Sequence, residues 1–169
     1  MSSYSPKFRI GNGYDIHRLV KDRNLIIGGI KLNHPDNLGL DGHSDADVLT
    51  HSIMDSLLGA LSLGDIGKYF PPTDEKWKNA DSLLLLSKVV NLIREKNWEV
   101  NNIVSVIIAE RPKIKPYVDL MKRNISMTIG IAENCIGIKA TTNEEIGPEG
   151  REEGISCHSV ALLENKNEI

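Results

Sequence analysis

Two short polar runs in the first third of the chain carry side chains that bind divalent metal ions. Asp15 and His17 lie two residues apart in the first run. Side chains at this spacing project from the same face of a strand, so this carboxylate and this imidazole can share one ion. Catalytic zinc usually takes three such ligands and keeps a fourth position for water or substrate. The first run therefore predicts two of three zinc ligands.

The second polar run, residues 42–51, supplies the third ligand, His51. In a helix, Asp47, His51 and Asp55 recur every four residues and form one polar ridge. Residues 48–63 are otherwise apolar on nearly every side, which is typical of a buried helix, and buried polar groups need partners. We therefore predict that the ridge faces the ion, with Asp47 and Asp55 orienting the imidazoles that bind it. A second, apolar ridge is predicted to pack in the core: Leu49, Ile53, Leu57 and Leu61.

The composition predicts a single domain, residues 1–169, with small-molecule partners. A chain of 169 residues can bury a core without disulfides or a structural metal. Its 20 lysine and arginine residues against 23 acidic residues give a net charge of -3 without a basic run, which argues against a nucleic-acid partner. Cys135 and Cys157 are predicted to be buried strand residues of a reducing compartment. No secretion signal or apolar run of about 18 residues occurs, so we expect a cytoplasmic protein without membrane contact.

Hydrophobic patterns predict strands and helices that alternate along the chain. The strands are predicted at residues 7–15, 24–32, 100–109, 135–142 and 155–163. The helices are predicted at residues 44–64, 80–96 and 116–130, and the first opens on a capping box of Ser44 and Asp47. This interleaving predicts an α+β fold in which a single mixed β-sheet carries helices packed on one face, as a two-layer sandwich.

Residues 64–74 and 143–154 escape these patterns and form two long loops rich in glycine and polar side chains. Loops of this length in a compact domain are often functional, but mobile solvent loops have the same composition. Asp65 has two explanations, because its carboxylate can accept hydrogen bonds from a ligand or end the first helix in a turn.

Five motifs, taken in order, resemble one enzyme family over residues 9–163. They are GYDIH at 13–17, HSDADV followed by His51 at 43–51, GDIG and FPPTD within 64–74, KATTNE at 139–144 and GREEG at 150–154. In this order and spacing they resemble the 2-C-methyl-D-erythritol 2,4-cyclodiphosphate synthases of the non-mevalonate isoprenoid pathway. One such motif alone is a weak signal, whereas five in order are specific.

The resemblance implies an intramolecular phosphoryl transfer that releases CMP. The substrate would be 4-diphosphocytidyl-2-C-methyl-D-erythritol 2-phosphate, whose 2-phosphate attacks its own β-phosphate and closes a cyclic diphosphate. Two anions must approach each other in this step, so cations that screen their charge lower the barrier. Because both reacting groups belong to one molecule, folding the substrate into a reactive conformer is a large part of catalysis.

The family's site residues carry over to matching positions of this sequence. Asp15, His17 and His51 would bind zinc, and Glu144 would bind magnesium or manganese. His43 and Thr142 would stabilise the transition state as catalytic residues. Residues 109–115 would form the cytosine pocket, and residues 141–144 would complete the nucleotide site. The substrate-binding residues implied by the resemblance are Asp15, His17, His43, Ser44, Asp65, Ile66, Gly67, Phe70, Pro71, Pro72, Thr73, Asp74, Ala109, Glu110, Arg111, Pro112, Lys113, Ile114, Lys115, Thr141, Thr142, Asn143, Glu144 and Arg151.

The resemblance also implies a homotrimer with active sites between neighbouring subunits. Tyr14, Arg151 and Glu153 match positions around a central channel, where some family members hold an isoprenoid diphosphate that Arg151 would bind. The sequence departs from the family pattern at Pro148, where an aromatic residue is usual, and at Asn143, where a small hydroxyl residue is usual. The first departure weakens the expectation of a lipid in the channel.

Two other functions fit the same metal ligands. A zinc phosphoesterase would use a metal-activated water on a related nucleotide and would consume water, which a cyclisation does not. A non-catalytic trimeric module would bind isoprenoid diphosphates and keep zinc for structure. Loss of His43, Thr142 or Glu144 would mark such a module, and all three residues are present.

Overall fold

The protein is built around a mixed five-stranded sheet, described here from a computed structural model of residues 6–167. The strands are β1 (Phe8–Lys21), β2 (Leu25–Ile27), β3 (Ile30–Leu32), β4 (Leu38–Leu40), β5 (Trp98–Ile108), β6 (Ile136–Thr141) and β7 (Gly154–Asn165). The main sheet has the order β4-β1-β7-β5-β6, and β2 pairs with β3 in a separate hairpin. Only β5 and β6 run parallel; the other neighbours are antiparallel.

Within residues 6–167, five α-helices connect and cover these strands: α1 (Val48–Ala60), α2 (Ile66–Tyr69), α3 (Ser82–Glu95), α4 (Val118–Ile129) and α5 (Gly147–Gly150). Helix α1 lies against β1 and β7, α3 packs on α1, and α4 contacts α3 and β6. The mixed α+β fold with one main mixed sheet is thereby confirmed. Among residues 6–167, no helix has the length and apolarity that crossing a bilayer requires.

The close approach of β1 to α1 requires two glycines in the strand. A Cβ atom on Gly11 would lie 2.0 Å from the Ser56 carbonyl oxygen, and one on Gly13 would lie 2.0 Å from the Ser52 carbonyl oxygen. Side chains of any size would force the two backbones apart. The predicted apolar ridge of α1 is buried as expected at Leu49, Ile53 and Leu57. This contact brings the polar residues that follow Gly13 against the first two turns of α1.

Two predicted strands differ from the structure. The first continues to Lys21 rather than ending at residue 15, so His17 lies within it. The predicted strand at 24–32 is wrong, because Gly28 and Gly29 have φ angles of 60° and 70° and fold the segment into the β2-β3 hairpin. Positive φ at both central residues is the geometry of a type I′ turn, which glycine adopts without strain. The short strand β4 was not predicted.

The predicted start of the first helix at Ser44 is also wrong. Asp47 is the N-cap residue, and its side chain accepts a hydrogen bond from the Thr50 amide at 3.0 Å. Ala46 has φ of 57°, in the left-handed region, so the helix cannot extend back through it. Ser44 instead closes a turn in which its Oγ accepts from the Ala46 amide at 3.3 Å. The predicted capping box does not form.

Smaller corrections concern the two loops and one cysteine. Residues 64–74 contain α2, and residues 143–154 contain α5, so neither segment is fully irregular. Cys157 is buried in β7 as predicted. Cys135 ends a 3₁₀ turn, Glu133–Cys135, and is partly exposed, so its prediction as a buried strand residue is wrong.

Candidate active site

Three predicted ligands converge where β1 crosses the start of α1. Asp15 Oδ2 lies 3.0 Å from His17 Nε2 and 3.0 Å from His51 Nδ1. The two imidazole nitrogens lie 3.2 Å apart. The pairing of Asp15 and His17 on one face of β1 follows from the alternation of the strand, and His51 reaches them from the second turn of α1.

The size of this triangle suits a small tetrahedral cation. Ligand atoms bound to zinc at about 2.0–2.1 Å in tetrahedral geometry lie roughly 3.3 Å from one another. The three observed distances are close to this value, and the three residues form a group that could hold a metal ion. Among residues 6–167, no further histidine, cysteine or acidic side chain joins the group. Three protein donors of this kind would leave one position of a tetrahedral ion open to a further ligand.

Electrostatics within the triangle favour the charged carboxylate. Burial by itself would raise the pKa of Asp15, but hydrogen bonds and charge from His17 and His51 outweigh it and lower this pKa from 3.8 to about 2. Burial likewise acts to lower the pKa of His17, and the hydrogen bond and charge of Asp15 outweigh it and raise this pKa above 6.5. Without a metal, a proton on His17 thus supplies the positive charge that Asp15 needs, and a cation would replace it.

The ring of His17 is held by a backbone carbonyl. His17 Nδ1 lies 2.6 Å from the carbonyl oxygen of Asp41. A carbonyl oxygen can only accept, so Nδ1 carries the hydrogen, and the lone pair of neutral His17 lies on Nε2, inside the triangle. The main chain at Asp41 therefore selects the tautomer that can bind a metal.

The predicted role of Asp47 and Asp55 is wrong, since neither carboxylate accepts a hydrogen bond from the imidazoles of His17 or His51. Asp47 is fully buried and accepts hydrogen bonds from the amides of Gly28 and Gly29 and from Thr50. Asp55 accepts from the Ile66 amide at 2.8 Å. Both carboxylates therefore hold backbone segments near the site, because buried amides need hydrogen-bond acceptors.

A cavity of about 210 Å³ opens beside the triangle. Its lining residues are Asp15, His17, His43, Ser44, His51, Ile66, Gly67, Phe70, Pro72, Trp77 and Leu85. His43 Nε2 lies 3.1 Å from the Asp74 carbonyl oxygen, and this contact holds the His43 ring at the wall formed by the first long loop, residues 64–74. The sequence analysis missed Trp77 and Leu85. An aromatic residue just beyond the FPPTD motif was the available signal for Trp77, whose ring packs 5.0 Å from that of Phe70.

Only some of residues 65–74 line this cavity. Asp65 does not end α1 but caps α2, accepting from the Lys68 amide at 3.2 Å. Ile66, Gly67, Phe70 and Pro72 line the cavity, whereas Asp65, Pro71, Thr73 and Asp74 are outside its lining. The Asp74 side chain accepts from the Lys76 amide at 3.2 Å and caps the following 3₁₀ turn.

The predicted cytidine and second-metal segments form a separate cluster. The Ala109 amide donates to the Thr141 carbonyl at 3.0 Å, and the Asn143 amide donates to Glu110 Oε1 at 2.8 Å. Thr142 Oγ1 donates to Glu144 Oε1 at 3.3 Å. Residues 109–115 and 141–144 are therefore joined, as the resemblance implied. Their side chains differ in exposure: Ala109 and Ile114 are buried, and the others are partly or fully exposed, namely Glu110, Arg111, Pro112, Lys113 and Lys115.

This cluster lies across the sheet from the metal ligands. Asp15 pairs with Cys157, Cys157 with Ile107, and Ile107 with Ala140. Three strand spacings separate Asp15 from Ala140, which is roughly 14 Å. None of the described residues lining the 210 Å³ cavity belongs to 109–115 or 141–144. Within residues 6–167, the two groups of predicted site residues therefore lie apart.

The residues matched to a central channel lie at the surface. Arg151 Nε is 2.7 Å from Glu153 Oε1, and both side chains are exposed. Tyr14 is half-exposed and its ring lies 4.6 Å from that of His158. Burial raises the pKa of Tyr14, with the charge of Glu149 adding to the effect. Arg111, which the resemblance placed at the cytosine, forms ion pairs with Asp36 and Glu152.

Comparison with known proteins finds relatives over almost the whole chain. The YgbB family model matches residues 8–164. The 2-C-methyl-D-erythritol 2,4-cyclodiphosphate synthase of Prochlorococcus marinus strain MIT 9215 is 78% identical over 166 residues, which cover 98% of this chain and 100% of the relative.

Solved structures agree with these matches. IspF of Plasmodium falciparum in complex with CDP has a TM-score of 0.83 and 37% identity, covering 96% of this chain and 100% of that one. The bifunctional IspDF from Campylobacter jejuni has a TM-score of 0.90 and 41% identity over 95% of this chain; the match spans only 43% of the bifunctional protein. The resemblance inferred from five motifs is confirmed, and the chain belongs to the YgbB family, that of the 2-C-methyl-D-erythritol 2,4-cyclodiphosphate synthases.

Proposed function

We propose that this protein converts 4-diphosphocytidyl-2-C-methyl-D-erythritol 2-phosphate to 2-C-methyl-D-erythritol 2,4-cyclodiphosphate and CMP. An oxygen of the 2-phosphate attacks the β-phosphorus, and the bond from that phosphorus to the oxygen of the α-phosphate breaks. CMP leaves with this oxygen and its electron pair, so the enzyme is a phosphorus-oxygen lyase. The observation that carries the proposal is the Asp15, His17 and His51 triangle beside a cavity, in a chain 78% identical to a named synthase.

The donor types and distances fit zinc at the triangle, and the carboxylate of Glu144 fits a hard cation, magnesium or manganese. When bound, these cations would supply positive charge that screens the two phosphates and polarises the phosphorus under attack. Binding of a cytidine diphosphate moiety is supported by the CDP complex of the Plasmodium falciparum relative.

The chain's own residues then bind and orient the substrate. His43 and Ser44 lie at the cavity wall next to the triangle, where their polar atoms can donate hydrogen bonds to phosphate oxygens. Phe70, Pro72 and Leu85 supply apolar surface that excludes water from the reacting phosphates. Thr142 would act with His43 on the charge that develops in the transition state, and residues 109–115 would hold the cytosine.

The two separated half-sites support a homotrimer, in which the metal half of one subunit meets the cytidine half of the next. The face of the sheet away from α1 carries exposed apolar side chains that a neighbouring subunit could cover: Phe8, Ile10, Tyr14, Ile16, Val104 and Val160. This open face also supports the two-layer arrangement with helices on one side. Arg151 would lie near the threefold axis, and an isoprenoid diphosphate there would have to be bound without the usual aromatic residue at Pro148.

We place the enzyme in the cytoplasm.

Product analysis in oxygen-18 water tests the reaction. The purified protein is incubated with the substrate, zinc and magnesium, and the phosphate products are resolved by mass. We expect CMP and cyclic diphosphate without oxygen-18, because cyclisation consumes no water. Oxygen-18 in either product would instead identify a phosphoesterase, and absence of CMP under all metal conditions would contradict both reactions.

A further inference from the structure

Ser82 and Asp45, to which the resemblance assigns no role, lie behind His51. His51 Nε2 lies 2.9 Å from Ser82 Oγ. Ser82 Oγ in turn donates to Asp45 Oδ1, and the Ser82 amide donates to Asp45 Oδ2 at 2.9 Å. Ser82 is completely buried, and it begins α3, whereas His51 lies on α1. A continuous chain of hydrogen bonds therefore runs from Asp45 to the nitrogen of His51 that faces away from the triangle.

The direction of these hydrogen bonds is fixed by the chemistry of the carboxylate. An ionised carboxylate only accepts, so the Ser82 hydroxyl hydrogen must point to Asp45. Ser82 can then offer His51 only a lone pair, and His51 must donate from Nε2. The neutral imidazole carries one hydrogen, so the lone pair of His51 lies on Nδ1, which is the atom 3.0 Å from Asp15.

From this geometry we propose that Asp45 and Ser82 are positioning residues that hold His51 in the metal-binding tautomer. The proposal rests on the metal centre of the proposed function. Ser82 and Asp45 would orient His51 as the Asp41 carbonyl orients His17. They would take the orienting role that the sequence had suggested for Asp47 and Asp55. Hydrogen bonds to the far nitrogen of a metal-bound imidazole fix its direction and raise its basicity.

Ser44 does not account for this role. Its Oγ is 3.2 Å from His51 Nε2, which is farther than Ser82 Oγ, and no carboxylate fixes the direction of its hydroxyl. Ser44 can accept from His51 or donate to it, so it permits either tautomer. Asp45 is also anchored independently of His51, since its amide donates to the Ala80 carbonyl at 3.2 Å.

Zinc affinity of the intact protein tests the proposal without relying on turnover. Ser82→Ala removes the acceptor, and Asp45→Asn nearly keeps the shape but replaces one carboxylate oxygen by an NH2 donor, so that the side chain can no longer accept from both the amide and the hydroxyl of Ser82. Each substitution should raise the zinc dissociation constant about 10- to 100-fold, measured by competition with a chelator. The visible absorption of the cobalt-substituted protein should change in both variants, because the ligand field of His51 changes.

Two control variants separate this effect from damage to α3. Ser87→Ala removes a hydroxyl of the same helix that donates only to the Leu84 carbonyl, and Asp81→Asn alters the N-cap of that helix. Both should keep zinc affinity within about twofold of the parent, as surface changes usually do. The double variant of Ser82 and Asp45 should lose no more affinity than the worse single variant, since the two residues act in one chain.

Each outcome decides the proposal. Zinc affinity of Ser82→Ala and Asp45→Asn equal to that of the controls overturns it, as does a double variant in which the two losses multiply. If Ser82→Ala does not fold, Asp45→Asn decides alone; if neither folds, the pair is a folding anchor and the proposal is overturned. If the parent protein forms no cyclic product but the variants lose zinc affinity as expected, only the proposed reaction is contradicted. If the parent protein forms the product but the variants bind zinc as tightly as the parent, only the positioning role is contradicted.

Discussion

The Asp15 carboxylate lies 3.0 Å from His51 Nδ1, although 36 residues separate the two in the sequence. One residue belongs to β1 and the other to α1, so their distance depends on how closely the strand and the helix approach. That approach is set by the two glycines of β1 that precede Asp15. The convergence of the proposed metal ligands thus depends on backbone packing as well as on the residue types.

Gly13→Ala should damage stability and metal binding together. A Cβ at this position would lie 2.0 Å from the Ser52 carbonyl oxygen and 2.7 Å from the Ser56 amide nitrogen, both in the backbone of α1. We expect a loss of about 3 kcal/mol in the free energy of unfolding, at the upper end of overpacking effects. Chemical denaturation and chelator competition measure the two quantities.

Gly59→Ala is the matched control, because Gly59 lies on α1, the helix that Gly13 contacts, and a Cβ there would make only an ordinary van der Waals contact. The nearest atom to its Cβ would be the Asn12 carbonyl oxygen at 3.6 Å. We expect a gain of about 0.5–1 kcal/mol from helix propensity, and unchanged zinc affinity. If Gly13→Ala behaved like this control, the close approach would not position the site.

The stability of the metal-free protein should depend on pH through Asp15 and His17. The pKa of Asp15 is lowered to about 2, so its contribution is present above pH 3.8 and is lost as the pH falls toward 2. The pKa of His17 is raised above 6.5, so its contribution is full below pH 6.5 and is lost as the pH rises through the raised value.

Comparing the unfolding free energies of the parent and Asp15→Asn at each pH isolates the contribution of the Asp15 and His17 pair. In the presence of chelator, the difference in unfolding free energy between the parent and Asp15→Asn should be largest between pH 3.8 and 6.5, at about 2 kcal/mol. It should shrink in both directions outside this window. A difference that stays constant from pH 4 to 9 would show that Asp15 and His17 do not form the pair described here.

Asp47→Ala should lower the free energy of unfolding, while the proposed metal ligands remain unchanged. Its carboxylate is the acceptor for two amides of the β2-β3 turn and for the first turn of α1. Buried donors left without a partner cost about 1–3 kcal/mol each, so we expect a loss of about 3 kcal/mol or more. Asp47→Asn, which keeps one acceptor oxygen, should lose less. An unchanged stability with tenfold weaker zinc binding would restore the orienting role first predicted for Asp47.

Two inactive variants should complement each other if active sites form between subunits. His51→Ala lacks a metal ligand, and Thr142→Ala lacks the hydroxyl in the other half-site. Subunits mixed at random in equal amounts should regain about a quarter of the parent activity, since one interface in four has both intact halves. Absence of any recovery in verified mixed oligomers would place both halves within one chain.

Local patterns were enough to predict the three side chains that converge as a candidate metal site, Asp15, His17 and His51, and most of the fold. Alternation in β1 placed Asp15 and His17 on one face, and the buried pattern of α1 was recognised because its apolar residues surround His51. The mixed sheet followed from the interleaving of strands and helices.

The predictions failed where the bounds of an element or the partner of a side chain depend on backbone conformation or on residues distant in the sequence. The left-handed Ala46 moved the start of α1 to Asp47, and the two positive φ angles of Gly28 and Gly29 divided a predicted strand; an apolar pattern carries neither signal. Asp47 satisfies amides 18 and 19 residues away, and Ser82 reaches His51 across 31 residues. Helical spacing alone cannot tell which of several polar groups meets which partner.

The most direct test of the metal centre is His51→Ala, assayed together for bound zinc, CMP release and oligomeric state. We expect a folded oligomer that retains less than a tenth of the parent's zinc at equal free metal, and no detectable CMP. Removal of a ligand from a catalytic centre should not unfold a chain with a core of this size. Full CMP release by the zinc-depleted variant, or collapse of its fold on loss of zinc, would contradict a catalytic metal at Asp15, His17 and His51.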